Sequence, residues 1–396
     1  MVKLFVRFLI ILCLPGFSST NVVAQDTVRT KPKPRITVFL PLMLDSVIVD
    51  GKPIFTKSMP GSMANALDFF NGIQIAAHDL EAQGIAARIQ VIDSKASDCF
   101  YQYFRDTTFE GTGVVISAAQ SAAEFKAIAD KLRPLAVPLI SILPNDAGVS
   151  AYPQMMLVNS TLRTHCEQLV KFLQRNHSLD NLLLLDIAGT AEARLKQHLK
   201  ESNQETRSVP LGWKETIYGE NFTAESLQLL LDSTRMNVLI APTLSGANAQ
   251  NIAKMLSSLG PKYRTTLFGM PTWEAVSFTR PEYKGVDVWY GTPFVTSAGN
   301  AFLNEEFVKK YKTLTNSLPG DMAYRGYELT MRYVRTYVTY GNKFMEHIND
   351  YRFKQFNEFN FQPVRLKEGG KTDYLENQKV YFVKKTDGVI KTVMAP

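Results

Sequence analysis

The chain has 396 residues, 45% of them hydrophobic, with 44 Lys and Arg against 37 Asp and Glu for a formal net charge of +7. That apolar content is ample for more than one packed core, so two lobes are the natural expectation. Three cysteines exclude a disulfide-built scaffold. Basic residues scattered along predicted helices, with no arginine stripe interleaved with aromatics, exclude a nucleic-acid motif.

The first 24 residues read as a cleavable signal segment: Lys3 and Arg7 supply a basic start, 8–14 a short apolar core, and Val22-Val23-Ala24 small residues before Gln25. The apolar run is too short for a membrane span, and Cys13 lies inside it, which argues against a lipid anchor. Cleavage after Ala24 removes two cations, taking +7 to +5. Residues 25–34, with Lys31-Pro32-Lys33-Pro34, read as an extended tether.

From Arg35 the pattern alternates strand and helix. Ile36-Thr37-Val38-Phe39-Leu40 is a buried-type strand ended by Pro41. After a long loop (43–65), Leu67, Phe70, Ile73, Ala77 and Leu80 fall at helical spacing, and Gly84 stops the helix before the strand Ile89-Gln90-Val91-Ile92. Strand, helix and strand in this order make a right-handed crossover with parallel strands. The alternation continues through a strand at 114–116, a helix at 122–132, and strands at 137–142 and 155–158. It restarts after Asn159 with a helix to about 176, an apolar strand at 182–185, a weak strand at 209–211, a helix at 223–232, a strand at 237–241 and a helix capped by Ser245. Strands at 266–269 and 286–290 close this second set. Two long helices at 300–314 and 322–340 follow without a strand between them, and 359–362, 380–383 and 389–393 read as β-structure packed on an existing lobe. The fold class is therefore α/β, two doubly wound parallel-sheet lobes joined by several crossings. Lobe I takes 35–158 plus 293–355, and lobe II takes 159–292 plus 356–396.

These residues resemble the type I periplasmic solute-binding proteins, the group of branched-chain amino-acid binding proteins and receptor ligand-binding domains. The resemblance is carried by the first strand ending in proline, the segment from Phe69 through Asn71-Gly72 to Ile85, the loop Val115 to Ser121, Pro138-Leu139-Ile140-Ser141, Gly326-Tyr327-Glu328, and the closing Phe359-x-Phe361, Asn377 and Asp387-Gly388. Within the group it looks most like a divergent branch common in Bacteroidota. The resemblance implies a periplasmic protein that closes two lobes on a small polar ligand such as an amino acid, peptide or cell-wall fragment, serving an ABC transporter permease. The alternative is an envelope protein that uses the same fold to regulate a cell-wall enzyme or contact peptidoglycan.

In open parallel sheets a ligand lies beyond the carboxyl ends of the strands. On lobe I the candidates there are Ser117, Gln120 and Ser121, where hydroxyls and amides at a helix start favour an anion, together with Asn145 and Asn65. Ser121 reads equally as a helix cap and Asn145 as a turn residue. On lobe II they are Ala188, where relatives often place a tyrosine, Ser245, and Trp273 with Glu274, the match to an acidic residue that receives a ligand amine. A lone tryptophan after a strand also reads as core. The loop 43–65, with Ile48, Ile54, Phe55 and Met59 among glycines and prolines, reads as an ordered lid over the cleft. No catalytic constellation, metal-ligand spacing or cofactor motif is present, so the reading is a non-enzyme; His165 and Cys166, adjacent on one helix, face different directions. Cys99 and Cys166 read as buried thiols rather than a bridge.

Overall fold

The computed structural model describes residues 33–49, 52–54, 59–96, 109–119, 121–142, 152–296, 301–367 and 369–394. The signal segment, most of the tether, Cys99, Gln120, Asn145 and part of the loop 43–65 lie outside the described residues. Within 33–396, a single compact unit, two seven-stranded sheets form the two lobes.

In the first lobe β1 (Arg35–Leu40) leads through a short helix α1 (Leu44–Val47), a small hairpin β2 (Ile48–Val49) and β3 (Lys52–Pro53), and the long α2 (Gly61–Ala82) to β4 (Arg88–Asp93). Then come β5 (Thr112–Ser117), α3 (Ala122–Leu132), β6 (Leu139–Ser141) and β7 (Met155–Leu157). β1 lies between β5 and the edge strand β4 and is parallel to both. Its side chains alternate between faces, as strand geometry requires: Ile36, Val38 and Leu40 join the core under α2, and Phe39 the core under α3.

The chain then crosses to the second lobe. This holds α4 (Leu162–Asn176), β8 (Asn181–Ile187), α5 (Thr190–Gln204), β9 (Lys214–Tyr218), α6 (Ala224–Gln228), β10 (Asn237–Ile240), α7 (Gly246–Ser258), β11 (Thr265–Phe268) and β12 (Asp287–Thr292). Leu182 and Leu184 pack under α4 and α5, Leu183 and Leu185 under α7, so β8 is apolar throughout because both faces are covered. Hydroxyl caps start the helices: Ser121 for α3, Thr161 for α4, Thr223 for α6 and Ser245 for α7, each accepting from a backbone N–H three residues on.

A second crossing returns to the first lobe for α8 (Ala301–Thr315) and α9 (Asp321–Tyr340), which pack with α2. Gly72 and Gly326 let α2 and α9 touch backbone to backbone: a Cβ at Gly72 would lie 2.1 Å from the Ala323 carbonyl oxygen, and one at Gly326 2.1 Å from that of Phe69. β13 (Phe361–Val364) and β14 (Tyr374–Asn377) follow, and a third crossing leads to β15 (Tyr381–Thr386) and β16 (Val389–Met394).

Three expectations are corrected. The segment 356–396 divides between lobes: β14 pairs in parallel with β7, with β13 outside it, so these strands cover what would be the open edge of the first sheet, and only β15 and β16 join the second. The weak strand at 209–211 is not a strand; the sheet takes β9 instead, an edge strand whose residues are half-buried or exposed and so lack an apolar signature. The helix at 223–232 stops at Gln228, because Asn237 Oδ1 accepts from Asp232 N and draws the chain toward β10.

Candidate functional site

Loops at the carboxyl ends of the parallel strands carry the candidate residues of both lobes. On the first lobe the Asp93 carboxylate accepts from the backbone N–H groups of Leu42, Met43 and Leu44 at 3.0, 3.1 and 2.8 Å. These bonds anchor the start of the loop 43–65, where Met43 has a φ of 57°. Ser117 is fully buried, and its hydroxyl accepts from Ala119 N at 3.1 Å. Ser121 is exposed and its hydroxyl caps α3, accepting from Glu124 N at 3.2 Å. Asn65 is exposed near the start of α2.

On the second lobe Thr243, a residue the sequence did not single out, gathers the strand-end loops. Its hydroxyl donates to Glu192 Oε1 at 3.0 Å and accepts from Ser245 N at 3.1 Å, while its carbonyl accepts from the Trp273 indole N–H at 3.0 Å. Glu192 stands over Gly189, whose φ of +143° and lack of a side chain make room for it; a Cβ there would lie 2.2 Å from Glu192 Oε2. Ala188 is exposed beside this network. Ser245 spends its hydroxyl on the N–H of Asn248, and Trp273 is wholly inside lobe II against Gly269 and Phe278. The network thus ties Gly189, Ser245 and Trp273 into one rigid rim and leaves Glu274 facing elsewhere.

Glu274 opens onto a cavity of about 160 Å³ where the lobes meet at the second crossing. Lobe II supplies Glu274, Tyr290 and Lys385, lobe I supplies Asp321, Tyr324 and Arg325 from the first turns of α9, and Phe294 comes from the crossing itself. The Arg325 guanidinium lies 4.3 Å over the Phe294 ring, yet its Nε is buried with no hydrogen-bond partner among the described residues. Lys385 Nζ lies 5.0 Å over the Tyr290 ring and donates to the Glu274 carbonyl oxygen at 2.6 Å. Burial raises the Glu274 carboxyl above its ordinary range and lowers Arg325 and Lys385, since each charge has left water. Among the described residues neither cation forms an ion pair within 4 Å. Groups of both signs therefore face one space without closing on each other.

At the cavity wall and at the first crossing, buried polar groups clamp the lobes together. Glu328 accepts from the N–H groups of Phe356 and Asn357 at 3.0 and 2.6 Å and from Asn357 Nδ2 at 2.7 Å, and Asn357 Oδ1 accepts from Val295 N at 2.9 Å. Burial nevertheless pushes the Glu328 carboxyl up to about 7. At the first crossing Glu376 accepts from Thr161 N at 2.7 Å, and Ser160 donates to the Asn377 carbonyl oxygen at 2.6 Å. Among the described residues no group of three or more His, Cys, Asp or Glu could hold a metal ion, and no helix is long and apolar enough to cross a membrane.

No family model and no curated protein matches the sequence. Solved structures do match it over nearly its whole length. One described as a putative branched-chain amino acid ABC transporter from Rhodospirillum rubrum has 13% identity and a TM-score of 0.63, covering 91% of this chain and 99% of its own. A branched chain amino acid ABC transporter periplasmic ligand-binding protein from Burkholderia xenovorans LB400 has 12% identity, 92% and 96% coverage and a TM-score of 0.57. An ABC transporter substrate-binding protein from Desulfitobacterium hafniense in complex with Leu has 14% identity, 91% and 99% coverage and a TM-score of 0.52. Such even coverage of both lobes shows that this chain has the type I periplasmic binding protein fold.

Proposed function

We propose that the protein is a periplasmic receptor that closes two lobes on a small polar solute of amino-acid size and presents it to a membrane permease. The observation that carries this reading is the interlobe cavity, where Glu274 and Lys385 from one lobe face Asp321 and Arg325 from the other. Charges of both signs held apart at a hinge suit a dipolar solute, which would join the lobes by completing both sets of contacts. The complexes of similar folds with leucine and isoleucine support an amino acid as the solute class, and the basic and apolar start of the sequence supports export.

Thermal unfolding in the presence of single amino acids, dipeptides and cell-wall fragments tests the reading, because a solute that binds only the folded state raises its stability. A rise in midpoint of about 2 °C or more at saturating solute is expected for at least one compound. A flat response across the panel overturns it.

A further inference from the structure

We infer that Arg325, and not the serines at the strand ends of lobe I, is the group that takes the carboxylate of the solute. This rests on the solute-binding reading above. Three observations converge on it. Neither strand-end serine lines the cavity: Ser117 is fully buried in its own turn, and Ser121 stands at the start of α3. Glu328, one helical turn along from Arg325 on α9, would be its natural partner, but both carboxylate oxygens are held by the amides of Phe356 and Asn357. Arg325 is thus left with its Nε buried and, among the described residues, unbonded, its guanidinium over the Phe294 ring, at the wall of the cavity.

A buried donor without an acceptor is destabilising unless something arrives to fill it, and a planar guanidinium held over an aromatic ring is matched in shape by a planar carboxylate. Lys385 is a poorer candidate because its ammonium already donates to the Glu274 carbonyl oxygen. The acids Glu274 and Asp321 sit on either side of the cavity, so the ammonium of the same solute has its own place and the carboxylate is steered to Arg325. The site so described belongs to the hinge and α9.

The experiment measures binding of L-leucine, L-glutamate and L-lysine, each beside its carboxamide, to the wild-type protein, R325Q and R325K by calorimetric titration, with the thermal midpoint of each protein without solute. The expected result is that the free acid binds wild type at least tenfold more tightly than its carboxamide, and that R325Q loses this preference together with about a hundredfold of affinity for the acid. R325K is expected to keep part of both. The solute-free midpoint of R325Q is expected to equal or exceed that of wild type, since the change removes a buried donor that has no acceptor among the described residues. An acid-over-amide preference that survives in R325Q overturns the role of Arg325 while leaving the solute-binding reading in place, as does a large fall in midpoint of both variants with the preference intact. No binding of any of the three acids to wild type overturns the amino-acid reading and this inference with it.

Discussion

His165 shows how one side chain can set an acid limit. It is buried in lobe II, its Nδ1 has no hydrogen-bond partner among the described residues, and burial lowers its pKa to about 4 from an ordinary 6.5. Below pH 6.5 the unfolded chain therefore takes up a proton that the folded chain refuses, so this contribution to stability is full at neutral pH and is lost as pH falls from 6.5 towards 4. Replacing it as H165M should remove up to about 3 kcal/mol of that acid loss, read from urea midpoints of both proteins at pH 7 and pH 4.5. An identical acid loss in the two proteins would refute it. At this scale the sequence was only half legible. Ser121, Ser245 and Trp273 each had a structural reading beside the binding one, and in the structure two are caps and one is core. Arg325, Thr243 and Glu192 went unremarked because an arginine inside a helix and a threonine after a strand carry no local signal; only the fold brings them to a cavity or a rim.

The meeting of α2 and α9 depends on two glycines, Gly72 and Gly326, whose missing side chains set the distance between the helices. G326A should cost at least about 3 kcal/mol, since the methyl would meet backbone that cannot move without parting the helices. A denaturant midpoint within error of wild type would show that the contact yields. Elements such as β1 and β8 were readable from their apolar runs because both faces are covered. β9 was not, because an edge strand half in water has no such pattern, and the placement of β13 and β14 was not, because sheet membership depends on a partner about 200 residues away.

The molecule as a whole is held by its crossings. Asn377 donates to the carbonyl oxygens of Val158 and Lys379 and accepts from the N–H groups of Asn360 and Lys379, so one side chain binds the first crossing to the third. N377A should lower stability by about 2–4 kcal/mol, because it strands several buried backbone groups, and should split a single calorimetric transition into two as the lobes uncouple. One undivided transition would show that the lobes are coupled by other contacts. Glu328 adds a pH dependence of the opposite sign to His165. Its folded pKa of about 7 lies above the ordinary 4.5, so the native state holds the extra proton and stability falls as pH rises through that window. E328Q should flatten this slope, and a slope unchanged from wild type between pH 5 and 8 would exclude Glu328 as its source.

The late arrival of β14 also has a consequence for synthesis. β7 and the strand that covers it are separated by all the parallel strands of the second lobe, so the first sheet keeps a bare edge until the last twentieth or so of the chain is being made, whereas those strands, β8 to β12, lie in one continuous stretch. A chain emerging from its N-terminus should therefore complete the second lobe's parallel core first and wait for its C-terminal strands to finish the first. Proteins cut short before Tyr374 would present β7 as a template for pairing with other chains, and aggregation of such truncations, rather than loss of solute contacts, should be their first visible defect.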